Sequence, residues 1–180
     1  MMETPLLYLR TLNSERYEQV MRTHTDAELM AFFGYTQPED LQKEKQRHAG
    51  GLTMFNKSFL FFHLIEKKSQ QVIGWCGYHT WYMPHHRAEI GYTIFNAANR
   101  GKGYMGQTLP LVIQYGFEQM NLNRIEAFTS HENEVSKKLL LKNGFIQEGV
   151  LREHYQTPEG ITDSVLFGLI KSDWGKAGSA

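Results

Sequence analysis

Asn99-Arg100-Gly101-Lys102-Gly103-Tyr104-Met105-Gly106 is the stretch on which the reading of this chain turns. An apolar strand pattern precedes it and an amphipathic helix pattern follows it. Three glycines within six residues, beside Arg100 and Lys102, let the backbone turn tightly and approach a ligand closely. Glycine tolerates positive φ and carries no Cβ. The helix that begins here presents N–H groups without intrahelical partners, which suit a phosphate or pyrophosphate. Two nucleotide-binding patterns overlap the loop. Gly101, Gly103 and Gly106 satisfy G-x-G-x-x-G, with Glu126 about 20 residues further on, as a dinucleotide fold requires. That fingerprint follows its strand directly and opens a βαβ unit. Here the strand ends near Phe95, five residues ahead of the first glycine, and the upstream pattern is antiparallel. Gly101 to Thr108 also fits G-x-x-x-x-G-x-T, but Gln107 stands where a P-loop needs its phosphate-reaching lysine.

Upstream of the loop, Phe59 to Glu66, Gln71 to Trp81 and Arg87 to Phe95 read as strands. The polar turn Lys67 to Gln70 and the loop Met83 to His86 join them into an antiparallel meander. On the third strand Glu89, Gly91 and Thr93 share one face, and Ile90, Tyr92 and Ile94 the other. Downstream, Met105, Leu109, Val112, Ile113, Phe117 and Met120 recur at helical spacing. Pro110 is expected to bend this helix early, because it leaves the Gly106 carbonyl without a partner. Asn123 to Ser130 is the next strand, and a strand–loop–helix–strand order makes its two strands parallel neighbours. Asn133 can cap a further helix that stops at Asn143-Gly144. Phe145 to Gln156 and Ile161 to Ile170 then pair across the turn Thr157-Pro158-Glu159-Gly160. Before the meander, Leu7 to Thr11 is a strand and Asn13 or Ser14 opens a helix to about Arg22. Two more helical stretches, Asp26 to Phe33 and Pro38 to Ala49, flank a break at Gly34. The sum is an α+β single domain over residues 1–174: a mixed, mostly antiparallel sheet of about seven strands with helices on both faces. Residues 175–180 are expected to be a frayed tail.

The 180 residues, 41% apolar and 13% aromatic, suit one packed globule. A formal net charge of zero argues against generic nucleic-acid or membrane-surface binding, so neither partner is expected. The single cysteine, Cys76, excludes an internal disulfide and cysteine-rich zinc sites, and fits a reducing cytoplasm. Met1 to Pro5 lacks a signal pattern, and no apolar run approaches a membrane span. His79, His85 and His86 do not make a metal set, because adjacent histidines cannot easily face one ion and no Cys or Asp cluster joins them. Monomer and homodimer are both compatible with the sequence.

Glu89-Ile90-Gly91-Tyr92, Arg100-Gly101-Lys102-Gly103-Tyr104, Asn133-x-x-Ser136 and Asn143-Gly144-Phe145 resemble, in order and spacing, successive motifs of the GNAT superfamily of N-acetyltransferases. The chain looks most like the RimJ/RimL-like branch, which includes ribosomal-protein alanine acetyltransferases, and the resemblance runs from Leu7 to about Trp174. It implies acetyl-CoA as co-substrate, no metal, and a primary amine as acceptor. A protein or peptide N-terminus is the first expectation, and a polyamine, amino acid or antibiotic amine the second. In that family the R-x-x-G-x-G/A segment binds pyrophosphate. The likeness assigns Arg100, Gly101, Lys102, Gly103, Tyr104, Met105 and Gly106 to the cofactor, with Met105 standing where Gly or Ala is usual. Asn133 resembles the residue that contacts pantetheine. A backbone N–H near Ile94 or Phe95 is the family's oxyanion donor, with pantetheine added to that strand's edge. The early helical pair walls the acceptor site, so Phe32, Phe33 and Tyr35 become acceptor candidates, joined by His79 and Trp81.

Acetyl transfer to an ammonium needs a base, a stabilised oxyanion and a proton for the departing thiolate. Glu89 is the first candidate base, since it resembles the family's glutamate and desolvation would raise its pKa. Its alternative role is a structural carboxylate paired with Arg87 or Arg124, and Glu153 is the reserve base. Ser136 resembles the serine that protonates the thiolate, or else serves the helix start. Tyr155 is a second candidate acid. Two other classes share parts of the pattern: a non-catalytic acyl-CoA-binding protein on the same fold, and a dinucleotide-binding oxidoreductase, which the meander disfavours.

Overall fold

The computed structural model describes residues 2–51, 58–158 and 160–177. In chain order they form β1 (Met2–Glu3), β2 (Leu7–Asn13), α1 (Ser14–Thr23), α2 (Asp26–Phe33) and α3 (Pro38–Ala49). The meander follows as β3 (Ser58–Glu66), β4 (Val72–Tyr82) and β5 (Arg87–Ile94). After the glycine loop come α4 (Tyr104–Glu118), β6 (Arg124–Thr129), α5 (Glu134–Lys142), β7 (Ile146–Thr157), β8 (Gly160–Ile170) and α6 (Lys171–Ala177). The strands make one eight-stranded sheet in the order β1-β2-β3-β4-β5-β6-β8-β7. The strand beyond the expected seven or so is β1, whose two residues pair with Leu9 and Tyr8 and are too few to carry a period.

Local chemistry sets the helix ends. The Asn13 side chain accepts the Arg16 N–H and opens α1. Thr25 and Glu28 form a reciprocal capping box on α2, which Gly34 ends at φ 77°. Pro38 occupies the first turn of α3. α4 runs through Pro110 as one helix of 15 residues. Residues 175–177, assigned above to the tail, continue α6, and Trp174 packs 5.1 Å from Phe117, centroid to centroid. Residues 178–180 lie outside the described residues.

The alternation of the strands divides the apolar residues between two cores. Leu60, Phe62 and Leu64 of β3 and Ala88 and Ile90 of β5 pack with α4 and α5. Phe59, and at its edge Phe61, pack instead with Tyr17, Val20, Leu29, Phe33 and Leu41 of α1 to α3. Helices thus cover both faces. Arg10 fastens α2 to the sheet: it donates to the Phe32 carbonyl, lies 3.9 Å over the Phe32 ring and stands 3.0 Å from His63 Nδ1. Burial, and then the Arg10 charge, push His63 down to about 3, so its ring stays neutral and can accept.

The pairing of β5 positions the site. β5 and β6 are parallel and pair only at Arg87↔Arg124, Ala88↔Ile125 and Glu89↔Glu126. β5 nevertheless continues along β4 as far as Ile94. Beyond Glu89 the two parallel strands part, and the edge of β5 that faced β6 is left open.

Candidate active site

The glycine loop lies at the mouth of that opening. Gly101 and Gly103 take φ of 74° and 77°, left-handed values that favour glycine. Gly103 is the N-cap of α4, and the first helical bond runs from the Gln107 N–H to the Gly103 carbonyl at 3.2 Å. The N–H groups of Tyr104, Met105 and Gly106 therefore lack helical partners. The Tyr104 side chain is buried and donates its hydroxyl to Glu66, so this residue offers the cleft chiefly backbone. Lys102 bonds Asn99 Oδ1 at 2.9 Å. Arg100 reaches the Ile94 carbonyl with Nε and Nη2, both at 3.4 Å. The cleft, about 810 Å³, is lined by the loop, by Tyr92, Thr93 and Ile94 of β5, and by Asn133, Ser136, Lys138 and Lys142 beside α5. Lys138 and Lys142 escaped the sequence reading. Their i, i+4 spacing puts them on one helix face, but nothing in the sequence says that this face meets the loop.

The register of β5 moves one expectation. The Phe95 N–H donates to the Ile73 carbonyl at 3.0 Å, so it is taken on the β4 side and is not free for an oxyanion. An antiparallel ladder turns alternate residues the other way. The N–H groups of Ile94 and Tyr92 thus face the open edge, and Tyr92 replaces Phe95 as the second candidate donor.

Glu89 stands where the two strands part, its side chain 15% exposed. Arg87 and Arg124, its expected alternative partners, are engaged elsewhere. Arg87 bonds Glu126 at 2.8 Å, while Arg124 bonds Glu126 at 2.8 Å and also holds Glu148. Burial, then the neighbouring Glu126 charge, push the Glu89 carboxyl up to about 7, against a smaller lowering by the Thr80 hydroxyl. Its cross-strand partner His79 places Nε2 3.5 Å from Glu89 Oε1, and burial lowers the imidazole's pKa. Thr80 sits at φ 54° in a β-bulge, an unusual conformation for a β-branched residue, and this aims its hydroxyl at the same carboxylate. Gly91 makes the arrangement possible. A Cβ there would lie 2.8 Å from His79 Nε2 and 3.0 Å from the Trp75 ring, so the bare backbone leaves room for both side chains.

Tyr92 and Ser136 meet on the opposite face of β5, their hydroxyls 2.7 Å apart. Burial raises the Tyr92 phenol to about 12 despite the Ser136 bond, so it keeps its proton. Asn133 caps α5 by accepting the Ser136 N–H at 3.1 Å, which fixes the serine in the cleft. Tyr155 lies on β7, 48% exposed, on the other side of the site: burial, then the Glu89 charge, raise its pKa. Glu153 is exposed at a bulge, with φ 53° and its N–H bonded to Asp163.

A second cavity, about 460 Å³, opens beneath α1 to α3 and reaches His79 and Thr80. Phe33 and Tyr35 line it, as does His79, so three of the five acceptor candidates come together. Phe32 packs against Arg10 and His63 instead. Trp81 pairs with Ser58 and packs on the other core, outside this cavity's lining. Glu44 joins the wall unforeseen: a charged residue on a polar helix gives no sequence sign of burial, yet it is 5% exposed. Among the described residues no three His, Cys, Asp or Glu side chains converge as a metal would require, and none of the helices is long and apolar enough to cross a membrane. His86 is occupied by the Asn121 carbonyl at 3.0 Å.

A parted parallel strand pair, a glycine loop with free helix-start amides and a desolvated carboxylate between them describe an acyl-transfer site for a phosphate-bearing donor. The chain belongs to the GNAT family: the model of the acetyltransferase (GNAT) domain matches residues 7–146. It is 31% identical over 176 residues, 95% of this chain and 96% of the relative, to an uncharacterized N-acetyltransferase, p20, of Bacillus licheniformis. Its fold matches ribosomal-protein-S5-alanine acetyltransferase from Vibrio fischeri at TM-score 0.67, with 24% identity over 96% of this chain and 97% of that one. A spermidine N-acetyltransferase from Vibrio cholerae, solved in complex with CoA and spermine, matches at 0.66, with 19% identity over 95% of this chain and 99% of that one. Likeness at these identities concerns the fold. The protein is an acetyl-CoA-dependent N-acetyltransferase that acts on an amine.

Proposed function

We propose that the start of α4 and the glycine loop hold the pyrophosphate of acetyl-CoA, with Arg100, Lys138 and Lys142 supplying positive charge around it. The pantetheine arm then lies along the open edge of β5, where the Tyr92 and Ile94 N–H groups and the Asn133 carboxamide meet it. The observation that carries this reading is the parting of β5 from β6 immediately beyond Glu89. It leaves strand-like hydrogen-bonding groups beside an anion site and ends at a carboxyl poised near neutrality.

The two protons are handled on opposite faces of β5. Glu89 takes one from the acceptor ammonium, and the amine nitrogen bonds to the acetyl carbon as the carbon–sulfur bond breaks. As the adduct collapses its second N–H proton leaves to solvent, while the Ser136 hydroxyl, held by the Tyr92 hydroxyl across their 2.7 Å contact, gives a proton to the sulfur and is reprotonated from solvent. His79 and Thr80 hold the Glu89 carboxylate toward the acceptor cavity, and Tyr155 borders the same side. For the acceptor, the RimJ/RimL resemblance favours a protein or peptide N-terminus, whereas the cavity's aromatic lining favours a small amine.

Thermal melting with acetyl-CoA, CoA, NADH and ATP tests the donor. Acetyl-CoA and CoA are expected to raise the melting temperature and NADH and ATP to leave it unchanged. Stabilisation by NADH alone would return the loop to a dinucleotide reading. The relay has its own test. Tyr92→Phe is expected to lower kcat about tenfold, and Ser136→Ala about a hundredfold, within the range of a lost proton-transfer group. The double variant should be no worse than Ser136→Ala, because both act on one proton. Additive losses would separate the two hydroxyls.

A further inference from the structure

We infer that the acceptor is a small primary monoamine carried on an aromatic or bulky apolar body, of the arylalkylamine class. The inference rests on the acetyl-transfer reading and concerns what fills the 460 Å³ cavity, a volume suited to a small ligand. Six rings line it: Tyr17, Phe33, Tyr35, Phe59, Phe61 and Trp75. They are already ordered against one another, so little freedom is lost when a further ring enters. Phe33 stacks on Tyr35 with centroids 5.5 Å apart, Phe59 stacks on Phe61 at 5.2 Å, and Phe61 leans on Trp75 at 5.0 Å.

The charges in the walls choose among amines. Glu44 is the buried carboxylate of this cavity, and both of its oxygens already accept hydrogen bonds from the wall. Oε1 accepts the Tyr17 hydroxyl at 2.8 Å, and Oε2 accepts the Tyr35 hydroxyl at 2.7 Å and Arg47 Nη1 at 2.9 Å. Burial, then the Glu44 bond, raise both phenols, so both remain donors. A second ammonium on the acceptor would compete with these donors for Glu44 and would meet the Arg47 guanidinium in the same wall. An amine with one charge avoids both conflicts. It presents its nitrogen to Glu89, where His79 and Thr80 border the cavity, and its apolar body to the rings. The clasp also ties α1, the α2–α3 turn and α3 together, which fixes the shape of the wall. Selectivity here is therefore built both by fit and by a repulsive element.

The test measures kcat/KM at saturating acetyl-CoA for 2-phenylethylamine, spermidine and a peptide with N-terminal alanine, alongside thermal melting with acetyl-CoA. 2-Phenylethylamine is expected to exceed each of the others by about tenfold or more, since even one methylene in an apolar pocket changes kcat/KM by roughly that factor. Phe61→Ala, at the cavity edge, is expected to raise KM for 2-phenylethylamine about tenfold and to leave KM for acetyl-CoA unchanged. No acetylation of 2-phenylethylamine, or a preference for spermidine or the peptide, overturns the inference. Acetyl-CoA stabilisation in the same samples shows whether the acetyl-transfer reading survives that result, and loss of stabilisation marks the failure of both.

Discussion

Glu89→Gln is expected to lower kcat by about 100- to 10,000-fold at saturating acetyl-CoA, the usual worth of a positioned base, and to stabilise the folded protein above pH 7. The two effects share one cause. Burial and the Glu126 charge lift the carboxyl from its ordinary 4.5 to about 7. A carboxyl with a raised folded pKa binds more protons folded than unfolded over that interval, so stability falls as pH rises from about 4.5 to about 7. The stability it contributes is fully present below 4.5 and is lost above 7. At pH 8 the ionised group costs on the order of 2 kcal/mol, after allowance for solvent screening at the cleft. An amide has no such penalty. Thermal melts at pH 5 and pH 8 should therefore separate wild type from variant only at the higher pH. The kcat/KM of the wild type should rise with pH and level off above about 7, while the variant's residual activity lacks that limb. A carboxylate held for structure behaves in the opposite sense, its loss destabilising the protein with turnover intact. Unchanged kcat in the variant would remove Glu89 from proton transfer.

The second large effect concerns the donor. Gly103→Val is expected to weaken CoA binding by about 10- to 100-fold while kcat at saturating acetyl-CoA stays within about twofold. Gly103 is held at φ 77° and its carbonyl accepts the first helical bond of α4. An L-residue at such a φ costs roughly 1–2 kcal/mol, and β-branching adds to it. Relaxation toward negative φ would turn the Tyr104, Met105 and Gly106 N–H groups away from a common anion, which is where the lost affinity arises. Titration of CoA into both proteins measures this directly. Equal affinities would mean that the loop does not bind the pyrophosphate, whatever the family resemblance implies.

The local features were legible in the order of residues alone. Glycines that need left-handed φ, the period-two pattern of β5 that puts Glu89 and Tyr92 on opposite faces, and the Asn13 and Pro38 helix starts all follow from interactions among residues a few positions apart. So does the antiparallel meander, because short turns leave the chain little choice of neighbour. The order of motifs carried the family for the same reason, since each motif is a local device.

How side chains distant in sequence are matched depends on the packed fold. That Arg87 and Arg124 are engaged by Glu126 and leave Glu89 without a guanidinium depends on the register of a parallel pair set by a helical crossover. The meeting of Tyr92 with Ser136, 44 positions later, depends on how α5 docks. The Phe95 N–H is lost to β4 through a ladder phase that no side-chain pattern records. Glu44 is buried because two tyrosines and an arginine converge on it, and such compensation is invisible until their positions are known. Backbone geometry is dictated by neighbours along the chain. Charge partnership and desolvation are dictated by neighbours in space, and these place the carboxyl near neutrality.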